Sequence, residues 1–234
     1  MWNGKTKAIT FSYDDGVSQD IRLIELFNKY ALKGTFNINS GHFGKDMSFV
    51  RDGVYVSHKR IPKNDVARVY KNHEVAAHTL THPNPTNTEE REIIRQVEED
   101  RLALSDIVGY EVFAMAYPGG GVNNDDRVAR ILRDYTGVKF ARTTTSTYSF
   151  DKQTNLYRFD PTVYQHGDGI KKTREIAERF FALECDEPQL LYIWGHSYEL
   201  DIHDDWAEME ELLSFIANRD DVFYGTNSEV LLEG

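Results

Sequence analysis

Two adjacent carboxylates, Asp14 and Asp15, stand at the end of a short apolar run near the start of the chain. The run from 8 to 13 is β-branched and aromatic, which predicts a buried strand. Neighbouring residues on a strand point to opposite sides, so one acid can bind a cation while the other moves a proton. Gly16 then permits a sharp turn and leaves room for a ligand. An ordinary Asp-Asp-Gly turn after a strand is the alternative interpretation.

Two histidines further along the chain could complete a site with these acids. His78 and His82 are four residues apart, and in a helical turn that spacing puts both imidazoles on one face. Two imidazoles and one carboxylate leave coordination positions open for water and substrate. This is the pattern of catalytic zinc and also of non-haem iron, so the residues predict a catalytic metal site.

A metal site beside a second carboxylate has the parts needed to hydrolyse an amide or an ester. A divalent cation lowers the pKa of bound water and polarises a carbonyl oxygen. The second carboxylate can act as general base, and His196, after a late strand, can protonate the leaving group because its ordinary pKa lies near neutrality. A backbone N–H after Pro118 can help to hold the developing oxyanion.

Strands and helices alternate along the whole chain and position these residues. Strands are predicted at 8–13, 35–38, 74–77, 112–117, 138–141, 156–159, 189–194 and 222–224. Helices are predicted at 21–30, 62–70, 86–108, 124–132, 170–183 and 206–217, the third with a capping box of Thr86 and Glu89, and 39–60 is predicted to be a long loop with a small hairpin. This alternation indicates one α/β domain over 1–234, a nearly closed barrel of mostly parallel strands. In such barrels the site lies at the carboxyl ends of the strands, where the acids and histidines fall.

The composition excludes several classes of protein. The 234 residues are 40% hydrophobic and 28% charged, as in an ordinary globular domain. With 27 Lys and Arg against 38 Asp and Glu, the net charge of −11 argues against a nucleic acid or an anionic membrane as partner. The single cysteine, Cys185, excludes an internal disulfide framework, and no apolar run could span a bilayer. Without a signal-peptide region, the expected location is the cytoplasm, or the cell envelope if a leader was removed.

Three stretches resemble motifs of the polysaccharide deacetylases of the NodB-homology type, also called carbohydrate esterase family four. Thr10-Phe-Ser-Tyr-Asp-Asp-Gly16 looks like the family's Thr-Phe-Asp-Asp-Gly motif with two extra residues. His78-Thr-Leu-Thr-His82 matches the family's His-Ser/Thr-x-x-His motif, and Trp194-Gly-His196 stands where the family has Leu-x-His. The resemblance covers nearly the whole chain and implies a distorted (β/α) barrel of about seven strands.

The same resemblance implies a role for each residue of the site. Asp14 would be the catalytic base and His196 the acid, while Asp15, His78 and His82 would be the metal ligands. The implied cofactor is a divalent metal, most simply Zn²⁺, with Co²⁺, Ni²⁺ or Fe²⁺ as alternatives. The implied partner is an acetylated carbohydrate.

The chain departs from the family in its third and fourth motifs. The third, of the type Arg-x-Pro-Tyr, is replaced by Ala116-Tyr-Pro-Gly119, although the amide of Gly119 can still serve the oxyanion. We hypothesise that Arg142, at the end of the fifth predicted strand, replaces the missing arginine that orients the base. Tyr117 and Trp194 are candidates to stack on a sugar ring, with core packing as the alternative for Trp194. The fourth motif, of the type Asp-x-x-Asp-Trp, has no clear counterpart, which leaves the substrate more open than the chemistry.

Several functions remain open at this stage. The first hypothesis is a metal-dependent deacetylase of N-acetylated sugars or polysaccharide. A same-fold hydrolase of another amide or of an O-acetyl ester is a variant of it, and a carbohydrate-binding protein without activity is a second class. An iron oxygenase with two histidines and one carboxylate is a third class. The strand–helix alternation argues against it, because such oxygenases usually have all-β folds. His58, His73 and His203 are expected to be surface residues.

Overall fold

Strands and helices alternate in the structure as the sequence predicts. The structure, a computed structural model, describes residues 1–51 and 53–232. The strands of these residues are β1 (Lys7–Asp14), β2 (Thr35–Ile38), β3 (Phe49–Arg51), β4 (Val54–Val56), β5 (Glu74–Ala77), β6 (Ala114–Ala116), β7 (Phe140–Arg142), β8 (Val163–Tyr164), β9 (Gln189–Gly195) and β10 (Val222–Tyr224). The helices are α1 (Asp20–Lys29), α2 (Val66–Val69), α3 (Glu90–Val108), α4 (Asp126–Tyr135), α5 (Gln165–Asp168), α6 (Ile170–Phe181), α7 (Glu199–Ile202), α8 (Trp206–Ile216) and α9 (Asn227–Leu231).

Seven parallel strands form a curled half-barrel with β1 near its centre. Their order is β7-β6-β5-β2-β1-β9-β8, and β10 pairs with the first residues of β1. β9 follows β1 over seven paired positions, from Lys7 opposite Gln189 to Tyr13 opposite Gly195. The predicted α/β, NodB-like distorted barrel is therefore confirmed. The hairpin predicted within 39–60 is also present, as the antiparallel pair of β3 and β4.

The chain between 156 and 164 contacts β7 at one edge of the sheet and β9 near the other edge, and its secondary structure was predicted wrongly. Residues 156–159 were expected to be a strand, but Leu156–Arg158 form a 3₁₀ turn. Phe159 makes one parallel bridge to Arg142 at the end of β7, and the strand that pairs with β9 begins only at Val163. The chain changes neighbours between these two contacts, at Pro161, which has no N–H to donate to a ladder.

The capping box predicted at Thr86 and Glu89 is also wrong. Helix α3 begins at Glu90, so Thr86 lies one turn too early to cap it. The Thr86 hydroxyl instead donates to Oδ1 of Asn84 at 2.8 Å, in a 3₁₀ turn that precedes the helix. The local sequence has the right residue types, but the two prolines before it delay the start of the helix.

The alternation of β1 decides which of its residues face the barrel interior. Ile9, Phe11 and Tyr13 pack on the helix side, where the ring of Phe11 lies 5.0 Å from that of Phe27 in α1. Residues 8, 10, 12 and 14 face the other way, toward the inner cluster that includes residues of β5, β6, β7 and β9. Asp14 is therefore aimed across the barrel by strand geometry. The helices formed by the described residues include none that is long and apolar enough to cross a membrane.

Asp100 ties the long helix α3 to the loops at the carboxyl end of the sheet, and this tie can be tested. Its carboxylate is fully buried and accepts the backbone N–H of Ser40 at 2.7 Å and that of His78 at 2.9 Å. In an Asp100→Asn variant an NH₂ group replaces one of the two accepting oxygens, so that one backbone N–H loses its acceptor and faces another donor. We expect a loss of about 1–3 kcal/mol in the free energy of unfolding, measured by urea titration.

A matched substitution on the same helix serves as the control. Asp106 is exposed, so Asp106→Asn should change the free energy of unfolding by no more than about 0.5 kcal/mol. Equal stability of the two variants would show that the buried acceptors of Asp100 do not hold the helix to these loops.

Candidate metal centre and active site

Asp15, His78 and His82 bring three metal-ligating atoms together at the carboxyl end of the sheet. Within the described ranges these are the residues whose donor atoms cluster in this way, all within 4.8 Å of one another. Oδ1 of Asp15 lies 4.0 Å from Nε2 of His78 and 3.8 Å from Nε2 of His82. The cluster therefore offers one carboxylate oxygen and two imidazole nitrogens, a donor set that a divalent cation accepts.

The two histidines meet for a different reason than their spacing predicts. No helical turn forms between them in this described stretch, since residues 78–82 are a loop in which Thr79 and His82 have positive φ, both 63°. Asn39 holds the loop by donating to the carbonyls of His78 and Thr79 at 2.5 and 2.8 Å. A Cβ on Gly41 would lie 2.5 Å from the carbonyl oxygen of Leu80, so only glycine fits against this loop.

The protonation states of these residues suit a cation. Nδ1 of His78 lies 2.9 Å from the carbonyl of Ala116 and donates its proton there, which leaves the lone pair of Nε2 toward Asp15. Burial of the ring lowers the pKa of His78 to about 4, so the imidazole is neutral. Oδ1 of Asp15 is buried and has no aligned hydrogen-bond donor among the residues that the structure describes. A free lone pair on Nε2 of His78 and a carboxylate oxygen without an aligned donor fit the expectation of a metal here.

Asp14 stands beside these residues in a buried ion pair. Its Oδ1 accepts from the Arg142 guanidinium and, at 2.9 Å, from the side-chain amide of Asn37. Burial alone would raise the pKa of Asp14, but Arg142, His78 and His196 together outweigh burial and hold the pKa below its usual value. Oδ2 points the other way, 4.0 Å from Nε2 of His78. The guanidinium of Arg142 thus contacts the candidate base directly, as it must if Arg142 replaces the missing arginine that orients the base.

His196 occupies the opposite wall of the cleft and is paired with Glu199. Nδ1 of the ring lies 3.2 Å from Oε2 of Glu199, and the same oxygen accepts the backbone N–H of His196. The hydroxyl of Tyr164 donates to the other carboxylate oxygen. Burial opposes a charge on the imidazole, but the carboxylates of Glu199, Asp15 and Asp14 together outweigh burial and raise the pKa of His196 to about 9. The ring is therefore a proton donor near neutral pH.

The cleft between these walls has a volume of about 420 Å³. Gly119 and its two neighbouring glycines form one side of it. Asn123, fully buried, fixes that turn by donating to the carbonyls of Pro118 and Gly119 at 3.1 and 2.7 Å. Trp194 lines the cleft with its ring stacked on Tyr164, 4.1 Å between centroids, and with the Arg142 guanidinium 4.4 Å from its own ring.

Tyr117 is not brought to the cleft. Its side chain is fully buried, and its hydroxyl donates to the carbonyl of Tyr157 at 2.7 Å. The residue follows β6 with its ring in the outer hydrophobic core. Packing, and not contact with a ligand, explains its position.

Two residues that approach Asp15 were not predicted. His58, expected at the surface, is 7% exposed, and its Nε2 lies 3.2 Å from Oδ2 of Asp15. Arg60 donates to the backbone carbonyl of Asp15, and its guanidinium is 3.0 Å from Oδ1. Burial would raise the pKa of Asp15, but His58 and Arg60 hold it well below the usual range. The concentration of basic side chains in the long loop was the only signal.

Two further histidines were predicted to lie at the surface, with different outcomes. His73 is also buried, 7% exposed, with its Nδ1 accepting the backbone N–H of Gly34 at 3.2 Å. His203 is exposed as predicted and stacks on His166. A polar residue at the start of a strand, such as His73, can be buried when it satisfies a neighbouring backbone group.

Comparison with known proteins agrees with this geometry. The family model described as polysaccharide deacetylase matches residues 3–138, more than half of the chain. No curated protein matches the sequence.

Several solved structures share the fold at low identity. The CE4 domain of a multidomain xylanase from the hindgut metagenome of Trinervitermes trinervoides is 16% identical, with 97% of this chain and 90% of that chain covered and a TM-score of 0.58. A family 4 acetyl xylan esterase from Clostridium thermocellum, in complex with a cobalt ion, is 13% identical over 97% and 91%, with a TM-score of 0.59. A CE4 family pseudoenzyme from Bacillus anthracis is 18% identical over 97% and 66%, with a TM-score of 0.55.

The solved structures are similar to this chain in fold, and the match to the family model includes β1, β5 and the residues after them, with Asp14, Asp15, His78 and His82. The chain therefore belongs to the polysaccharide deacetylase family.

Proposed function

We propose that the protein is a metal-dependent hydrolase that removes acetyl groups from N-acetylated sugars or polysaccharide. The observation that carries this proposal is the convergence of a two-histidine, one-carboxylate cluster with an ion-paired carboxylate and a paired histidine on one cleft. The cluster comprises Asp15, His78 and His82, the carboxylate is Asp14, and the paired histidine is His196. Together they offer the base, the acid and the metal ligands of amide hydrolysis.

Asp15, His78 and His82 would hold the metal. Their mixed nitrogen and oxygen donors suit Zn²⁺, and Co²⁺, Ni²⁺ or Fe²⁺ are alternatives with the same ligand preferences. When bound, such a cation lowers the pKa of water and polarises the carbonyl of the acetyl group. The Clostridium thermocellum esterase with the same fold was solved with a cobalt ion.

The residues of the chain then divide the proton transfers between the two walls. Asp14 removes a proton from the attacking water, and its contact with Arg142 keeps the carboxylate ionised and aimed into the cleft. The backbone N–H of Gly119 donates to the oxygen that gains negative charge. His196 donates its proton to the nitrogen that leaves, and Glu199 holds the imidazole in its charged form.

The same arrangement is chemically able to cleave an O-acetyl ester, which has an easier leaving group. The acetyl xylan esterase among the structural neighbours supports this variant. A carbohydrate-binding role without activity is the other alternative, because one neighbour of the same fold is a pseudoenzyme. The presence of both acids and all three histidines of the site counts against it. A screen for acetate release over N- and O-acetyl sugars separates the three.

Metal content is the most direct test of the proposal. Protein purified without added metal should contain about one zinc-like ion per chain by elemental analysis, and Asp15→Ala should contain none because it removes one of three ligands. Asp134→Ala, an exposed acid on α4, is the matched control and should keep the ion. Wild-type protein that takes up no metal even after soaking with zinc or cobalt would contradict the proposal.

Arg142 is expected to act through Asp14. Arg142→Ala should lower kcat/KM at least about 100-fold, because the base loses its orientation and its buried partner charge. Arg142→Lys should recover part of the rate, since it restores the charge without the planar guanidinium. Arg158→Ala, which breaks a pair with the exposed Asp126, is the control. A folded Arg142→Ala enzyme with an unchanged rate, with folding checked by thermal melting, would refute this role.

The pair of His196 and Glu199 predicts a pH dependence. In the metal-free protein the pKa of His196 is about 9, above the value of about 6.5 in an unfolded chain. Between about pH 6.5 and 9 the folded state therefore holds a proton on His196 that the unfolded chain has lost. The stabilisation from this proton is complete below about pH 6.5 and is lost as the pH rises through 9. Glu199→Gln should lower the midpoint of the His196 titration seen by NMR and flatten this decline. An unchanged midpoint would exclude Glu199 as the cause.

A further inference from the structure

The buried carboxylates around the cleft each have a cationic partner of their own. The three pairs are Asp14 with Arg142, Asp15 with Arg60, and Glu199 with His196. Their charges cancel when His196 is protonated. The acidic residues lining the described cleft are these three, so no carboxylate of its wall is left to neutralise a further cation.

Arg51 brings a further cation to this cleft. It is the last residue of β3, in the hairpin of β3 and β4, on the side of the site that carries His196. Its side chain is about half exposed (48%). Its guanidinium is 3.8 Å from Oε1 of Glu199, the single ion pair of Arg51 within the part of the chain that the structure describes. That separation is too long for a hydrogen bond.

Glu199 is already occupied by other donors. Oε1 accepts from the hydroxyl of Tyr164, and Oε2 accepts from the backbone of His196 and faces its imidazole. Arg51 therefore forms a long ion pair with this carboxylate but no hydrogen bond to it. Because Arg51 lines the cleft, its planar fork of donors is available to a ligand that enters beside His196.

Arg51 thus adds a positive charge to a cleft whose carboxylates are already paired, in a protein that is acidic as a whole. With His196 protonated, the three carboxylates of the cleft are matched by three cations and Arg51 is a fourth, whereas the whole chain carries −11. Charges of the distant surface are screened over about 8–10 Å at ordinary ionic strength, so a ligand in the cleft responds mainly to the local excess.

We propose that the cleft accepts acetylated glycans that carry a carboxylate, and that Arg51 binds that carboxylate. The inference rests on the proposed deacetylase function and names the substrate class of the same site. A uronate-type sugar next to the acetylated one supplies a planar anion that a guanidinium can bind with two parallel hydrogen bonds. A neutral acetylated glycan would leave Arg51 without this partner.

A pair of substrates that differ only in charge tests the proposal. One is an acetylated oligosaccharide that contains uronate, and the other is the same oligosaccharide with its carboxyl groups reduced to alcohols. Wild-type kcat/KM should be about tenfold higher for the uronate form at ordinary ionic strength, the effect of one charge-assisted contact. The ratio should fall toward one in Arg51→Gln and lie between these values in Arg51→Lys. Arg133→Gln, an exposed arginine on α4, should keep the wild-type ratio.

Binding measured without turnover separates failure of this inference from failure of the proposed function. The dissociation constants of both oligosaccharides are measured by calorimetry with Asp14→Asn and with Asp14→Asn combined with Arg51→Gln. If neither substrate releases acetate but the uronate form still binds more tightly through Arg51, the deacetylase function is wrong and the carboxylate site stands. Equal affinity for the two forms, or a preference that persists in the Arg51→Gln double variant, overturns the inference.

Discussion

The pairing of two buried carboxylates with arginines from distant parts of the chain is the interaction on which this site depends. Asp14 and Asp15 are 2% and 6% exposed, and a carboxylate in such surroundings without a cation would take up a proton. Arg142 and Arg60 supply the opposite charges and are themselves buried. Removal of either partner would leave an uncompensated charge in the interior, so the acids and the arginines can be accommodated only together.

The curl of the sheet makes the first of these pairs possible. β7 is four strands away from β1 in the sheet order, and neighbouring strands lie about 4.8 Å apart, so a flat sheet would separate their ends by roughly 19 Å. In the curled sheet the end of β7 instead faces the end of β1 across the interior, and Arg142 reaches Asp14. Phe159 bridges to Arg142 from the segment that leads to β8, which holds this edge in place.

The same geometry explains how the chain differs from the family pattern at its third motif. Ala116 ends β6 where the resemblance leads one to expect an arginine nearby, and the charge beside Asp14 comes instead from β7, the next strand. Glu199 and Arg60 make comparable contributions on the other walls, from the start of α7 and from the loop after β4. Each wall thus combines a residue that faces the cleft with a buried charge that sets its protonation state.

The sequence by itself determined the parts whose information is local. The β-branched and aromatic run of β1 identified the strand and put two acids at its end, and the motifs singled out His78, His82 and His196 as the histidines of one cleft. It could not reveal that His78 and His82 meet in a strained loop, that residues 156–159 turn, or that His58 and Arg60 approach Asp15. Periodicity reports on neighbours two to four residues apart, whereas Arg60 and Arg142 contact acids 45 and 128 residues away in the chain. Contacts of that separation exist only once the sheet has curled and the long loop has folded over its end, so the tertiary structure alone decided them.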